Sequence, residues 1–408
     1  MNNKLAINLG WSSNYNIEND YYKWLDICKK NEIKFVRIFL CSWSINALYD
    51  NTYLKILENI INYADNNDIE ICLVLNNFVD YNIKNYSDIN DIKYSWKANP
   101  YYTKYKKVKK FFQVIDQNYL NDVKSILDIV EKYSNIKYIE IMNEIDQINC
   151  FNNILINWVN NLIAKLERIY KNRYTFTCSI SNHELFKIFK KQINCYVDLH
   201  FYSFPYESAI ENIEYMNNKN KILYLGEYAK FSDRSYLQDM ESKIYFSAGL
   251  WGSYFYNLEY VPLHWWWQDL LIDGDYLKII SNYKSISQKL GVVTSVEKID
   301  IEYKIVNKTG NLLEKKKFNE RFKTLLKHPL FIVNELHSIK KFINKKRIKQ
   351  SEVVFRKINT NKKEIFYLEC RNDIIVSNFI QNKKIINVIT GNEVKFNNVI
   401  LRGIYIIL

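Results

Sequence analysis

The 408-residue chain predicts a (β/α)8 TIM barrel followed by a small antiparallel β-sandwich-like C-terminal domain. Three observations lead to this fold class. Short apolar runs of strand-forming residues recur before Gly291, amphipathic helical stretches separate most of them, and alternating strand patterns follow. Because a chain of this length exceeds the usual size of one core, we expect a barrel domain over residues 1–292 and a β-rich domain over 293–408.

The barrel strands are predicted from eight apolar runs. In chain order they are Ala6–Trp11, Phe35–Leu40, Ile71–Leu75, Tyr138–Met142, Thr175–Ile180, Val197–Tyr202, Ile222–Gly226 and Pro262–Trp267. The intervening helical stretches include Tyr22–Asn31, Leu54–Asn67, Tyr119–Tyr133, Ile154–Tyr170 and Leu237–Tyr256. Since barrels of this type build their active site at the C-terminal ends of the strands, residues at those ends are the functional candidates.

The third connection, from Asn76 to about Asn118, is unusually long and rich in aromatic residues. They are Tyr81, Tyr86, Tyr94, Trp96, Tyr101, Tyr102, Tyr105, Phe111 and Phe112. A long loop on the catalytic face can wall a cleft with these rings, or it can pack on its own side chains, and the sequence leaves both open. In the C-terminal domain, the stretch from Asn307 to Lys349 is predicted to be a lysine-rich insertion.

The net charge of +13 raises the question of a nucleic-acid or membrane partner. The lysines are scattered, which is more typical of a solvated surface than of a phosphate-binding stripe, so we predict no nucleic-acid partner. An anionic polysaccharide or a cell surface would also account for the charge. The aromatic content of 16% suits stacking on sugars and on bases alike.

Seven cysteines show no Cys-x-x-Cys motif and no zinc-ligand spacing with histidine, so we predict no metal site and no cofactor. A reducing compartment fits this usage. No apolar stretch of 18 residues predicts a membrane span, and no signal peptide is visible before Ala6. We therefore expect a cytoplasmic protein, or an extracellular one if a leader has been removed.

Two of the predicted strands stop at a glutamate. Glu144 closes the run that starts at Tyr138, and Glu227 closes the run that starts at Ile222. A carboxylate at the mouth of a barrel is costly to bury, so two of them indicate chemistry rather than packing. Retaining glycoside hydrolysis requires such a pair, with the carboxyl groups about 5–5.5 Å apart. The sequence therefore predicts a glycosidase.

Further polar and aromatic residues follow the same strands. Arg37 lies within a strand and needs an anion, and Glu227 is its expected partner. His200 and Tyr202 are two residues apart and share one face of the sixth strand. Trp265 and Trp267 share a face of the eighth, and either they or His264 and Trp266 point into the barrel.

These residues resemble the retaining (β/α)8 clan of glycoside hydrolases, and within it the cellulase and endo-β-mannanase type, family 5. The resemblance is carried by Trp96-Lys-Ala-Asn-Pro-Tyr-Tyr, Phe111-Phe112, Ile136 to Asp146, Leu225-Gly-Glu-Tyr228, Gly249-Leu-Trp251 and His264 to Trp267. It covers about residues 1–290. Ile139 replaces the tryptophan of the family's Trp-Glu-x-x-Asn-Glu signature, Asn76-Asn77 stand where relatives often have a histidine, and Gln268 replaces an aspartate.

The resemblance implies a role for each of these positions. Glu144 would be the acid/base and Glu227 the nucleophile. Asn143 would bond the substrate 2-hydroxyl, Arg37 and Tyr202 would hold the nucleophile, and His200 would line the −1 subsite; Trp265 and Trp267 complete the candidate substrate-binding set. The implied reaction is double displacement on a β-linked mannan- or glucan-type oligo- or polysaccharide. A catalytically silent glycan-binding barrel is the alternative, but it would have little reason to keep both glutamates.

Overall fold

The structure, a computed structural model, describes most of the chain. The described residues are 3–9, 17–40, 51–81, 96, 99–171, 173–202, 206, 208–218, 221–230, 238–265, 274–307, 352–376, 383–395 and 399–408. Two tyrosines of the long third connection, Tyr86 and Tyr94, lie outside these residues, as do Trp267 and most of the lysine-rich insertion.

The barrel sheet has six parallel strands that pair in chain order. They are β1 (Leu5–Leu9), β2 (Ile33–Phe39), β3 (Glu70–Val74), β4 (Ile136–Glu140), β5 (Thr175–Ile180) and β6 (Tyr196–Leu199). Most of their residues are buried, as expected for parallel strands that helices cover. The order and direction of these strands confirm the predicted barrel.

The predicted seventh and eighth strands are extended segments that close the ring through single bridges. Tyr228 forms parallel bridges with Phe201 and His264, and Tyr260 forms one with Lys4. The ladder is interrupted at Gly226, because its N–H donates to the Asp198 side chain and its carbonyl accepts from the Asn8 side chain. Side chains thus replace the backbone partners that a continuous ladder would use.

Helices connect or follow the barrel strands. They are α1 (Ile17–Lys30), α2 (Asn51–Asp65), α3 (Tyr102–Tyr105), α4 (Val108–Phe111), α5 (Gln117–Val130), α6 (Asn152–Tyr170), α7 (His183–Gln192), α8 (Ala209–Asn217), α9 (Met240–Phe255) and α10 (Gly274–Leu290). The start of α5 follows from its sequence, because the Asp116 carboxylate accepts from the N–H groups of Asn118 and Tyr119. Among the described residues, no helix has the length and apolar character that crossing a membrane requires.

Aromatic residues of the third connection pack on one another. Tyr81, Trp96, Phe111 and Phe112 are buried, and their rings contact each other. Phe112 also meets Trp158 of α6, with ring centres 4.9 Å apart. Of the two alternatives for this loop, the structure thus favours internal packing for these described rings.

Antiparallel strands follow α10 from Val293 onward. They are β7 (Val293–Lys298), β8 (Tyr303–Asn307), β9 (Val353–Thr360), β10 (Glu364–Cys370), β11 (Asp373–Val376), β12 (Ile385–Asn387), β13 (Glu393–Val394), β14 (Val399–Ile400) and β15 (Gly403–Ile407). Six form one sheet in the order β13-β12-β15-β10-β9-β7, and three form a second in the order β14-β11-β8. These two sheets agree with the predicted β-sandwich-like domain.

The larger C-terminal sheet packs on helices of the barrel. Phe255 of α9 meets Tyr367 of β10 with ring centres 5.2 Å apart. Polar contacts add to this interface, since Arg356 bonds Glu214 of α8 at 2.9 Å. One apolar cluster extends from the barrel into β9, β10 and β15. The β-domain therefore shares a core with the barrel on the side of α8 and α9.

Candidate active site

The two predicted catalytic glutamates follow β4 and the seventh segment. Glu144 lies four residues beyond the end of β4, and its side chain is 12% exposed. Its backbone is left-handed, with φ 48° and ψ 51°, at the start of a short 3-10 helix, Ile145–Gln147. This conformation is uncommon for a residue other than glycine and costs about 1–3 kcal/mol. The N–H of Glu144 donates to Ser179 Oγ at 3.0 Å, which helps to hold it.

Glu144, His200 and Glu227 come together at the barrel mouth. Each offers one oxygen or nitrogen atom, and these three atoms lie within 4.8 Å of one another. One oxygen of Glu144 is therefore within 4.8 Å of one oxygen of Glu227, and the carboxyl groups of retaining glycosidases are about 5–5.5 Å apart. His200 Nδ1 lies 3.0 Å from Glu144 Oε1 and 3.5 Å from Glu227 Oε2.

The Glu227 carboxylate is held at both oxygens. Arg37 Nη1 donates to Oε1 at 2.9 Å, and Tyr202 Oη donates to Oε2 at 2.8 Å. Burial raises the pKa of Glu227 and the charge of Glu144 adds to the rise, while His200, Arg37 and Tyr202 oppose it. The net direction is upward, so Arg37 does not hold this carboxyl at an unusually low pKa.

Arg37 bonds Glu227, as expected, and it is also shared with a second carboxylate. Its Nε and Nη2 atoms donate to the two oxygens of Glu140 at 2.7 and 2.8 Å. Both side chains are fully buried. Although burial opposes it, the Arg37 charge lowers the pKa of Glu140 below its ordinary value. The bidentate pair with Glu140 is the stronger of the two contacts.

Asn143 lies between the arginine and the end of β3. Its Oδ1 accepts from Arg37 Nη2 at 2.8 Å and from Ser179 Oγ at 3.1 Å. Its Nδ2 donates to Asn77 Oδ1 at 3.2 Å. Asn77 occupies the strand end where the resembled family often has a histidine, so the departure seen in the sequence lies in contact with the candidate site.

Trp265 takes the orientation in which it faces the barrel interior. Its ring centre lies 5.9 Å from that of Phe39, and the Arg37 guanidinium lies 4.4 Å above the Phe39 ring. His264 points the other way, against Phe246 of α9 and Tyr276 of α10, and burial lowers its pKa to about 3. The alternative with His264 inward is therefore wrong. The prediction for Trp267 lies outside the described residues.

Sequence reasoning missed four polar residues around this site: Asn8, Glu140, Ser179 and Asp198. All four are buried and lie within barrel strands. A signal for them was present, because a polar residue inside a short apolar run needs a partner in the core. The same rule had singled out Arg37.

Glu144, His200 and Glu227 have a spacing that would also suit a cation. Two carboxylates and an imidazole are a familiar ligand set for transition metals. Here, however, the Arg37 guanidinium already bonds Glu227 and supplies positive charge beside it. The donor set is therefore better explained as two carboxyl groups that face one imidazole than as a metal centre.

No protein-family model matches the chain, and neither does any curated protein. Solved structures do match. The maltogenic alpha-amylase AmyB from Thermotoga neapolitana superposes with a TM-score of 0.50 at 10% identity, over 100% of this chain and 99% of that one. A GH30 endoxylanase from Clostridium papyrosolvens covers 99% and 95% of the two chains, with a TM-score of 0.46 and 10% identity.

The endo-1,4-beta-mannanase from Rhizomucor miehei matches 70% of this chain and 95% of its own, with a TM-score of 0.47 and 13% identity. At these identities a likeness bears on the fold alone. The match to the amylase extends over the barrel and the β-domain together. The chain thus shares the fold of this solved amylase.

Proposed function

We propose that this protein is a retaining glycoside hydrolase that cleaves β-linked glycans of the mannan or glucan type. One observation carries the proposal: Glu144 and Glu227 have oxygens within 4.8 Å at the barrel mouth, joined through His200. The β-linkage and the sugar class rest on the sequence resemblance described above. The oligo- or polysaccharide would lie across the mouth formed by the strand ends.

Glu227 is the nucleophile of the proposed reaction. Arg37 and Tyr202 bond its two oxygens, so the carboxylate is held in one orientation before the substrate arrives. Attack on the anomeric carbon forms a covalent glycosyl-enzyme. Tyr202 and Arg37 then stabilise the carboxylate again when it leaves.

Glu144 is the acid and then the base. It protonates the departing oxygen while Glu227 attacks, and in the second step it takes a proton from the water that releases the sugar. The two steps each invert the anomeric centre, so the product keeps the configuration of the substrate.

The two carboxyls are coupled in a way that suits these roles. The charge of Glu144 contributes to the raised pKa of Glu227. When Glu144 carries the proton that it needs as an acid, this contribution disappears and Glu227 ionises more readily. We assign the shared proton to Glu144 and the charge to Glu227, because the Arg37 cation bonds Glu227.

The proposed activity is tested with purified protein and a panel of aryl β-glycosides and β-glycans. On a cleaved substrate, proton NMR during the first turnovers should show the β-anomer before mutarotation. An α-anomer as first product would mean inversion and would contradict the double displacement. Absence of cleavage across the panel, with glycan binding retained, would favour the silent barrel instead.

The Glu144→Ala variant tests the acid/base assignment. Glycosides with poor leaving groups should lose turnover far more than activated ones, because only the former need protonation. Added azide should restore turnover on activated substrates and yield a β-glycosyl azide. Equal losses on both substrate types, with no azide product, would count against the role of Glu144.

A further inference from the structure

Asp198 is a fully buried carboxylate beneath the candidate site that the proposed mechanism does not use. It lies on β6, two residues before His200, so both side chains share one face of the strand. Its Oδ1 atom has no hydrogen-bond partner among the described residues. A buried carboxylate with an unpaired oxygen is costly, and such a group in a site calls for a functional explanation.

The other oxygen of Asp198 holds the backbone just before the nucleophile. Oδ2 accepts the Gly226 N–H at 2.6 Å, and Gly226 precedes Glu227. The Gly226 carbonyl accepts from Asn8 Nδ2 at 2.7 Å, so side chains hold both the N–H and the carbonyl of Gly226. A Cβ at Gly226 would lie 2.7 Å from Asp198 Oδ2 and 3.1 Å from His200 Nε2. Only glycine permits this close approach.

The same oxygen also faces His200. His200 Nε2 lies 3.5 Å from Asp198 Oδ2 and has no hydrogen bond among the described residues. The opposite nitrogen, Nδ1, faces Glu144 at 3.0 Å. In a histidine, the partner of one ring nitrogen decides which nitrogen carries the proton. An anionic acceptor near Nε2 favours the proton there, which leaves Nδ1 free to accept from a protonated Glu144.

We propose that Asp198 is a positioning residue, which fixes the Gly226 peptide behind the nucleophile and keeps a proton on His200 Nε2 so that Nδ1 serves Glu144. This inference rests on the proposed function. Through one oxygen it would place both members of the catalytic pair, Glu227 by way of the backbone and Glu144 by way of the imidazole. Asp198 itself would act through Gly226 and His200 and would not contact the sugar.

The surroundings of Asp198 agree with this role. Burial raises its pKa to about 6 and Glu140 adds to the rise, whereas His200, the Gly226 N–H and Arg37 oppose it. Two of the groups that keep Asp198 charged, His200 and the Gly226 N–H, are thus groups that it would position. Loss of its charge would weaken the preference for the proton on His200 Nε2.

Two substitutions at Asp198 distinguish the effect of losing its acceptor oxygen from the effect of changing its volume. Asp198→Asn keeps an oxygen that can accept from Gly226, and Asp198→Leu roughly keeps the volume but offers no acceptor. We expect Asp198→Leu to lower kcat by about 100-fold or more with little change in KM, since misplacement of about 1 Å can cost that much. Asp198→Asn should restore part of this loss, because it keeps an acceptor for the Gly226 N–H but not the charge that faces His200. The matched control is Glu369→Leu, which removes a buried carboxylate of the β-domain and should leave kcat unchanged.

A folded Asp198→Leu variant with kcat within about threefold of the wild type would overturn the proposal, as would equal activity of the Asn and Leu variants. A second measurement needs no variant and no substrate. Nitrogen-15 NMR of the wild type should show the His200 proton on Nε2, and a neutral ring with the proton on Nδ1 would refute the inference. If the wild type cleaves no glycoside, the proposed function fails, while the tautomer still reports on Asp198.

Discussion

Glu140 and Glu369 are both buried glutamates, but the pKa of Glu140 is lowered and the pKa of Glu369 is raised. Glu140, in the barrel, accepts two bonds from Arg37 at 2.7 and 2.8 Å and one from Ser179 Oγ at 2.7 Å. Although burial opposes it, Arg37 lowers the pKa of Glu140. Glu369, in β10, accepts from Ser208 Oγ at 2.6 Å and lies 3.6 Å from Arg371 Nε, and burial raises its pKa.

The difference shows that burial alone does not decide whether a carboxyl stays charged. A bidentate guanidinium outweighs the loss of water around Glu140, whereas the neutral hydroxyls of Ser208 and Tyr367 and a more distant cation do not outweigh it around Glu369. The two glutamates also have different roles in the structure. Arg37 extends from Glu140 to Glu227 and so belongs to the site, while Glu369 links the β-domain to Ser208 of the barrel.

The largest effect is expected from Arg37→Met, which removes the cation that pairs with Glu140. Glu140 would remain buried without a charged partner, so we expect the free energy of unfolding to fall by about 3–5 kcal/mol. Turnover should drop by orders of magnitude in any protein that still folds. Urea unfolding and kcat of the folded fraction measure the two effects. Wild-type stability in this variant would show that the Arg37 pair with Glu140 contributes little.

A smaller loss is expected from Glu140→Gln, because the amide oxygen can still accept one bond from Arg37. We expect about 1–3 kcal/mol less stability at pH 7. Because the folded pKa of Glu140 is lowered, its contribution is present above about pH 4 and is lost as the pH falls further. The difference between wild type and variant should therefore shrink in acid. A difference that is constant from pH 7 to pH 3 would contradict the lowered pKa.

The smallest effect is expected from Glu369→Gln, which replaces the buried carboxyl group of the β-domain by an amide. Because the folded pKa of Glu369 is raised, its stabilising contribution is complete below about pH 4 and is lost as the pH rises through that pKa. At pH 7 the variant should be within about 1 kcal/mol of the wild type, and kcat should not change. Unfolding curves at pH 4 and pH 7 check the sign: relative to the wild type, the variant should gain stability as the pH rises.

The barrel could be predicted from the sequence because hydrophobic residues recur with a different period in helices and in strands. Most of the barrel strands are also continuous apolar runs. The ends of those runs also marked Glu144, Glu227 and Tyr202, which the structure brings to one mouth around His200. Their catalytic roles stay predictions. The pairing of Arg37 with Glu140 could not be predicted, since the register between β2 and β4 depends on the intervening strand. The interrupted ladder at Gly226 likewise arises from side chains distant in the sequence.

The measurement that tests the central claim most directly is covalent trapping of the nucleophile. A 2-fluoro glycoside of a cleaved sugar, with an activated leaving group, should form a stable adduct with the wild type. After digestion, mass spectrometry should place the adduct on Glu227, in the peptide that contains Leu225 to Tyr228. An adduct on any other carboxylate, or rapid turnover by an inverting route without an adduct, would contradict the account.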